Sequence, residues 1–173
     1  MTKPKSVSRR NMSDIAPSDS NQLAQEVLGK FRVVFSSIKK HFREIENQCG
    51  VSGAQVWAMW EISRTPGMRV TELAKALSVH QSTMSNLLDK IEEQGMLRKE
   101  RPQNDQRSVR LYLTEYGHEI IKRAPKPMSG MLPDALQKLP LETLSRLKQD
   151  MDALLSLMAV KDASAAAKPL SEI

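Results

Sequence analysis

The apolar positions of this chain fall into helical stripes, with one short alternating stretch among them. They begin as a run at Leu28, Phe31, Phe35, Ile38, Phe42, Ile45 and Cys49, in alternating steps of three and four. That spacing predicts one long helix with a single apolar face, ended by Gly50. Arg32, Lys39, Lys40 and Glu46 fall on its other faces. Next, Ser52 is a candidate N-cap for a helix over 53–64. Ala54, Val56, Trp57, Ala58, Met59, Trp60 and Ile62 make that helix apolar nearly all round, the pattern of a helix buried in a core or interface. Thr65-Pro66-Gly67 stops it.

Two short helices follow. Thr71 is a candidate cap for 72–77, with Leu73, Ala74 and Leu77 facing inward. A tight turn at Ser78-Val79-His80 leads to a second helix over 81–94, closed by Gly95. Its inner face is Met84, Leu87, Leu88 and Ile91. A small residue where two helices approach, an apolar turn residue and then this stripe describe a helix-turn-helix. Residues 96–101 and 109–113 read as two strands around the loop PQNDQRS. Val109, Leu111 and Leu113 alternate with Arg110 and Tyr112 in the second. A hairpin directly after a helix-turn-helix is a wing. Thr114 is a candidate cap for a helix over 115–124. Pro125 and Pro127 interrupt that helix, and Pro133 marks another break or a new start. A last helix, 141–159, carries Leu141, Leu144, Leu147, Met151, Leu154, Leu155 and Met158 on one stripe, with Lys148, Gln149 and Asp152 opposite.

Composition sharpens this mainly α picture. The 173 residues are 40% hydrophobic and 27% charged, ordinary globular values, with a net charge of +6. Residues 1–20 carry +2 of that charge and residues 96–110 carry +3. The basic character thus lies in an arm and in the hairpin, a distribution that points to a polyanionic partner. Cys49 is the single cysteine, so neither a disulfide framework nor a cysteine zinc site is expected. His41, His80 and His118 form no ligand series, and no metal or cofactor is expected. No apolar run is long enough to span a membrane and no secretory signal is visible, which makes a reducing cytoplasm the default. Residues 1–20 and 160–173 are poor in large apolar residues and read as a disordered basic arm and a disordered tail. Between them lie a first helix (21–52), a winged helix-turn-helix lobe (53–114), the candidate DNA-binding unit, and closing helices (115–159).

The run TELAKALSVHQSTMSNLLDKIEEQGMLRKERPQNDQRSVRLYLTEYG resembles the MarR (multiple antibiotic resistance regulator) family of transcription factors. The most specific markers are the helix-turn-helix pattern, Gly95-Met96-Leu97, and Asp105-x-Arg107 followed by Leu113-Thr114-x-x-Gly117. With the flanking helices, the resemblance extends over roughly 21–159. It implies a winged helix-turn-helix flanked by long N- and C-terminal helices that form a homodimer. It also implies a two-fold, pseudo-palindromic operator in double-stranded DNA and often a small aromatic or phenolic acid as effector. The prolines after the fifth helix depart from the commoner family pattern.

With the apolar stripe of the second motif helix turned inward, Gln81, Ser82, Thr83, Ser85 and Asn86 face outward near its start, where base edges are reached. Asparagine and glutamine can pair with adenine, and serine or threonine with either partner or a phosphate. Arg107 has the reach for a minor groove, with Asp105 as the group that orients it; the family resemblance implies the same pairing. Lys90, Arg98, Lys99, Arg101 and Arg110 are candidate phosphate contacts, at least one of them expected to be a bystander. Each group can equally be an ordinary solvated face, and the adjoining basic hairpin favours DNA.

For an effector, Trp57 and Trp60 with Phe35, Ile38, His41 and Phe42 are candidate lining, although aromatics at helical spacing are commonly core. Arg43, Arg64 and Arg69 are candidate counter-charges for an acid. Two alternatives stand beside a ligand-responsive repressor. One is a redox switch at Cys49, disfavoured because this thiol continues an apolar stripe. The other is a winged helix serving as a protein-interaction module without specific DNA binding. No P-loop, dinucleotide fingerprint, metalloprotease motif or nucleophile–base pair points to an enzyme.

Overall fold

A computed structural model describes residues 17–103 and 108–172. Asp105, Arg107 and most of the basic arm lie outside the described residues. The chain divides into two compact units, Met1–Ser36 and Ser37–Ile173. Helix α1 (Pro17–Cys49) supplies the described part of the first and enters the second. It starts within the segment expected to be disordered, opening on Pro17, whose fixed φ suits a first helical turn.

The second unit carries α2 (Gly53–Arg64), β1 (Met68–Arg69), α3 (Val70–Ala76), α4 (Gln81–Glu93), β2 (Leu97–Glu100), β3 (Arg110–Leu113), α5 (Glu115–Arg123), α6 (Met131–Gln137) and α7 (Leu141–Leu157). Helix α2 has the bounds its pattern predicts. The Ser52 hydroxyl accepts from the Gln55 N–H while the Gln55 side chain accepts from the Ser52 N–H, a reciprocal cap. Helix α3 begins earlier than the sequence suggests. Its cap is the Glu72 carboxylate, which accepts from the Arg69 N–H at 2.7 Å, and not Thr71. The Ser78-Val79-His80 turn places Ser78 at φ 55°, the left-handed region, which costs a non-glycine residue energy.

The sheet has three antiparallel strands in the order β1-β3-β2, with Met68 opposite Leu111 and Leu97 opposite Leu113. The strand β1 went unread because two residues carry no period; the Gly67 N–H donating to the Leu111 carbonyl at 2.8 Å starts its pairing. Although β2 has poor strand propensity, Leu97 at 3% exposure anchors it in the core. That core joins α2, α3, α4, the sheet and α5 through Val56, Met59, Ile62, Leu73, Leu88, Leu111 and Ile120.

Two glycines explain the family marker. Gly95, at φ 73°, turns the chain out of α4 in a conformation that favours glycine. Gly117 allows α5 to lie against the same exit, because a Cβ there would sit 2.2 Å from the Met96 carbonyl oxygen. Thr114 joins the two. Its hydroxyl donates to the Gly95 carbonyl at 2.7 Å and accepts from the Gly117 N–H at 3.1 Å.

After Pro125 and Pro127, Pro133 lies in the first turn of α6, so it marks a helix start. Helix α7 ends at Leu157, two residues before its predicted end, and none of its residues is buried. The segment 160–173 departs from the reading of a disordered tail. It forms 3₁₀ turns at Ala163–Ala167 and Leu170–Glu172, and its Pro169 is buried. Among the described residues no helix is long and apolar enough to cross a membrane.

Candidate nucleic-acid interface

Helix α4 is held by its inner face and by its far end. Met84, Leu88 and Ile91 are fully buried and Leu87 is 3% exposed. Its far end is tied to α2, where the Gln55 amide donates to the Gln94 side chain at 2.8 Å. The near end carries no side-chain cap at His80, so the first-turn N–H groups and their share of the helix dipole favour an anion there. Gln81, Ser82 and Asn86 are exposed beside that end, while Thr83 and Ser85 are half-buried. The Ser85 hydroxyl donates back to the Gln81 carbonyl at 3.0 Å, leaving it only as an acceptor for a base or phosphate. The outward face therefore combines neutral hydrogen-bonding groups with a positive helix end, which suits reading base edges between phosphates.

The basic hairpin is less free than its composition suggests. Lys99 is 2.5 Å from Asp89 and 2.9 Å from Glu92, both on α4. Burial works to lower its pKa, but the hydrogen bonds and charges of those two carboxylates outweigh it and hold the ammonium above the usual lysine value. Lys99 thus clamps β2 to α4, its charge already met by two carboxylates. Arg98 pairs with Glu100 on the same strand and lies 4.9 Å over the Tyr112 ring. The Arg110 guanidinium donates to the Gly67 carbonyl at 3.0 Å, bracing the turn before β1. Arg98 remains more than half exposed and keeps donors for a phosphate. Lys90 and Arg101 are exposed and make no ion pair among the described residues.

Sequence reasoning missed Asp89, Glu92 and Glu72 as the groups that set the lobe's internal geometry. The signal was present in Asp89 and Glu92, which stand one turn apart on α4 and so face the same neighbour.

The residues expected around an effector do not converge. Ile38, Phe42 and Trp57 line one groove, with Gly53, Pro133 and Leu170. Trp60 lines a separate open cleft of about 510 Å³ with Lys126, Pro127, Ser129, Gln137 and Lys138. Trp57 donates to Glu61 at 3.2 Å, and Arg64 lies 4.8 Å over the Trp60 ring. His41 is buried and its Nε2 donates to the Pro127 carbonyl at 3.0 Å, so it supports the cleft wall and lines neither space. Phe35 is 61% exposed and stacks on Phe31 within the first unit, and Arg43 is exposed. Cys49 is buried with its thiol 3.9 Å from the Ile120 carbonyl. Burial pushes its pKa up, only partly opposed by the charge of Arg123, so the reactive thiolate is disfavoured.

A helix-turn-helix, an exposed neutral face on its second helix and a three-stranded sheet beside it define a winged-helix lobe. Residues 51–109 match the family model described as "MarR family". The HTH-type transcriptional regulator Hpr of Geobacillus thermodenitrificans is 26% identical over 100 residues, spanning 58% of this chain and 50% of that protein. The HTH-type transcriptional repressor MdtR of Bacillus subtilis is 22% identical over 98 residues, spanning 57% of this chain and 63% of that protein. The chain thus spans about half to three-fifths of the length of these relatives. Among solved structures, a MarR family transcriptional regulator from Streptomyces coelicolor, in complex with DNA, has a TM-score of 0.53 at 22% identity, over 84% of this chain and 94% of that one. A MepR-like protein complexed with pseudoligands has a TM-score of 0.54 at 18% identity, over 77% of this chain and 94% of that one. Both share the fold.

Proposed function

We propose that this chain is a dimeric, sequence-specific DNA-binding regulator of transcription that acts as a repressor in the cytoplasm. The observation that carries the reading is the exposed neutral face Gln81, Ser82 and Asn86 at the start of α4, which has no side-chain cap, with a basic wing beside it. Gln81 and Asn86 choose bases, and Ser82, Thr83 and the helix N–H groups hold the adjoining phosphate. Arg107, oriented by Asp105, enters the minor groove. Arg98, Arg101 and Lys90 supply phosphate contacts, while Lys99 and Arg110 hold the wing at its angle.

A second copy completes the site. One helix-turn-helix reads only a few base pairs, and two-fold pairing doubles the sequence read. The uncovered leucines of α7 and the exposed Leu23, Val27, Leu28 and Phe35 of α1 supply apolar surface for that pairing. Sedimentation at micromolar concentration is expected to give a dimer.

Release is assigned to a small aromatic or phenolic acid in the Trp60 cleft, whose volume falls in the range of ligand sites. The indole takes the ring and Lys126 takes the carboxylate, since Lys138 is already paired with Asp134 of the same cleft at 2.6 Å. A ligand preferring a spacing of the lobes that misfits the operator lowers DNA affinity by its differential affinity for the two states. No cofactor or metal enters this scheme.

Footprinting DNA upstream of this protein's own and neighbouring genes tests the reading. A protected two-fold site is expected, with affinity falling steeply with salt. On that site Arg107→Ala weakens binding by ~1–3 kcal/mol with little change in melting temperature. Unchanged affinity removes the wing tip from the mechanism. Absence of any preferred site favours the protein-interaction alternative.

A further inference from the structure

The segment after α7 is poor in large side chains, yet it is placed at two points of the lobe that matter for reading DNA. Asp162 opens it, accepting from both the N–H and the hydroxyl of Ser164 and lying 3.7 Å from Lys168. The first 3₁₀ turn brings the Ala167 carbonyl to the His80 N–H at 3.4 Å. His80 is the N-cap of α4. The chain then buries Pro169 and sets the Ser171 hydroxyl to accept from the Ala54 N–H at 3.2 Å. Ala54 lies in the first turn of α2, where an N–H has no partner inside the helix. One short segment therefore supplies acceptors at the starts of α2 and of the recognition helix.

Between those two bonds Pro169 and Leu170 form one wall of the groove whose other walls include Ile38, Phe42, Trp57 and Pro133. The space left beside them is about 20 Å³, room for a single water. The hold is nevertheless light. Leu170 is 41% exposed, and the run ASAAAKPL otherwise offers only small side chains and one lysine. A segment with so little apolar area in its contact opens locally at low cost.

We infer that residues 163–171 form a displaceable strap: a wall that closes the Phe42–Trp57 groove, gives way to a small apolar ligand and, on leaving, frees the backbone at the start of α4. The regulatory consequence rests on the proposed reading of DNA by α4; the strap itself does not. The groove is apolar and aromatic, so its ligand is a flat hydrophobic molecule and not a polar metabolite. Such a ligand would act on the recognition helix without touching it, by removing the acceptor at its N-cap.

Hydrogen exchange of the His80 and Ala54 amides in the full chain tests this, with anilinonaphthalene sulfonate as the probe of the groove. In a Pro169→Gly, Leu170→Asp double variant both amides are expected to exchange several-fold faster, while those of Leu88 and Ile91 keep their protection. Dye fluorescence is expected to rise, and saturating dye added to the unaltered chain should speed the same two amides. Deletion of 162–173 must reproduce both effects. Amides unchanged by the deletion would overturn the strap, as would dye that binds without moving the His80 amide. Because neither readout uses DNA, failure here leaves the DNA-reading proposal standing, and failure to find an operator leaves the strap standing.

Discussion

Helices α4 and α7 both carry apolar stripes, and only one of them is covered. Every stripe residue of α4 is buried within the chain, whereas none on α7 is, and Leu141, Leu154 and Leu155 are 82%, 41% and 42% exposed. Periodicity identifies a face that must leave water; it does not say whose surface will cover it. The helix-turn-helix lobe completes its core alone. The α7 stripe remains available to a second molecule, as the dimer proposal requires.

Leu88→Ala is expected to break the covered side of this contrast, costing ~2–5 kcal/mol because the fully buried site leaves a cavity. That loss should not depend on protein concentration. Leu154→Ala should instead cost the isolated chain under about 1 kcal/mol, with its larger effect on self-association. Denaturant melts over a range of concentrations compare the two; equal, concentration-independent losses would erase the distinction.

Gly117→Ala places a methyl 2.2 Å from the Met96 carbonyl oxygen. Helix propensity alone would favour alanine by ~1 kcal/mol. The clash is expected to reverse that sign, with a net loss of roughly 1–3 kcal/mol in the same melts.

Lys99→Met removes the clamp between β2 and α4. The partners are partly solvated, so folding should lose only about 0.5–1 kcal/mol. DNA affinity should fall with the salt slope unchanged, because no phosphate contact is lost; a slope reduced by about one would make Lys99 a phosphate ligand after all. Since the folded pKa lies above the unfolded value of ~10.4, the clamp's contribution is complete below that value. It disappears only as pH rises through the higher folded value, so melts between pH ~6 and ~9 should show no titration from it. The smallest effect is expected for Ser78→Gly, which relieves a positive φ and should leave stability within about 1 kcal/mol of the parent, on the stabilising side.

What could be read in advance follows from how local each signal is. The caps at Ser52 and Thr114, the stop at Gly95 and the inner face of α4 depend on residues within a turn or two, and each is where its pattern predicts. Strand β1 owes its existence to β3, more than forty residues away, and has no local signature. The charge of the hairpin was legible, but its use was not, because Lys99 and Arg110 are committed by Asp89, Glu92 and the Gly67 carbonyl across other elements. The expected single aromatic pocket failed for a related reason. Trp57 and Trp60, three residues apart on α2, open into different spaces once α6 and the strap are in place. The strap itself was illegible, since small residues order through backbone hydrogen bonds that composition does not reveal.

The most direct test of the central claim is selection of duplexes from a random pool by the full chain at physiological salt. Enrichment of a two-fold motif with half-sites one helical turn apart, about 10–10.5 base pairs, is expected, with Asn86→Ala relaxing preference at one position in each half. A pool that emerges without a preferred sequence, bound only as strongly as its charge dictates, would contradict the account.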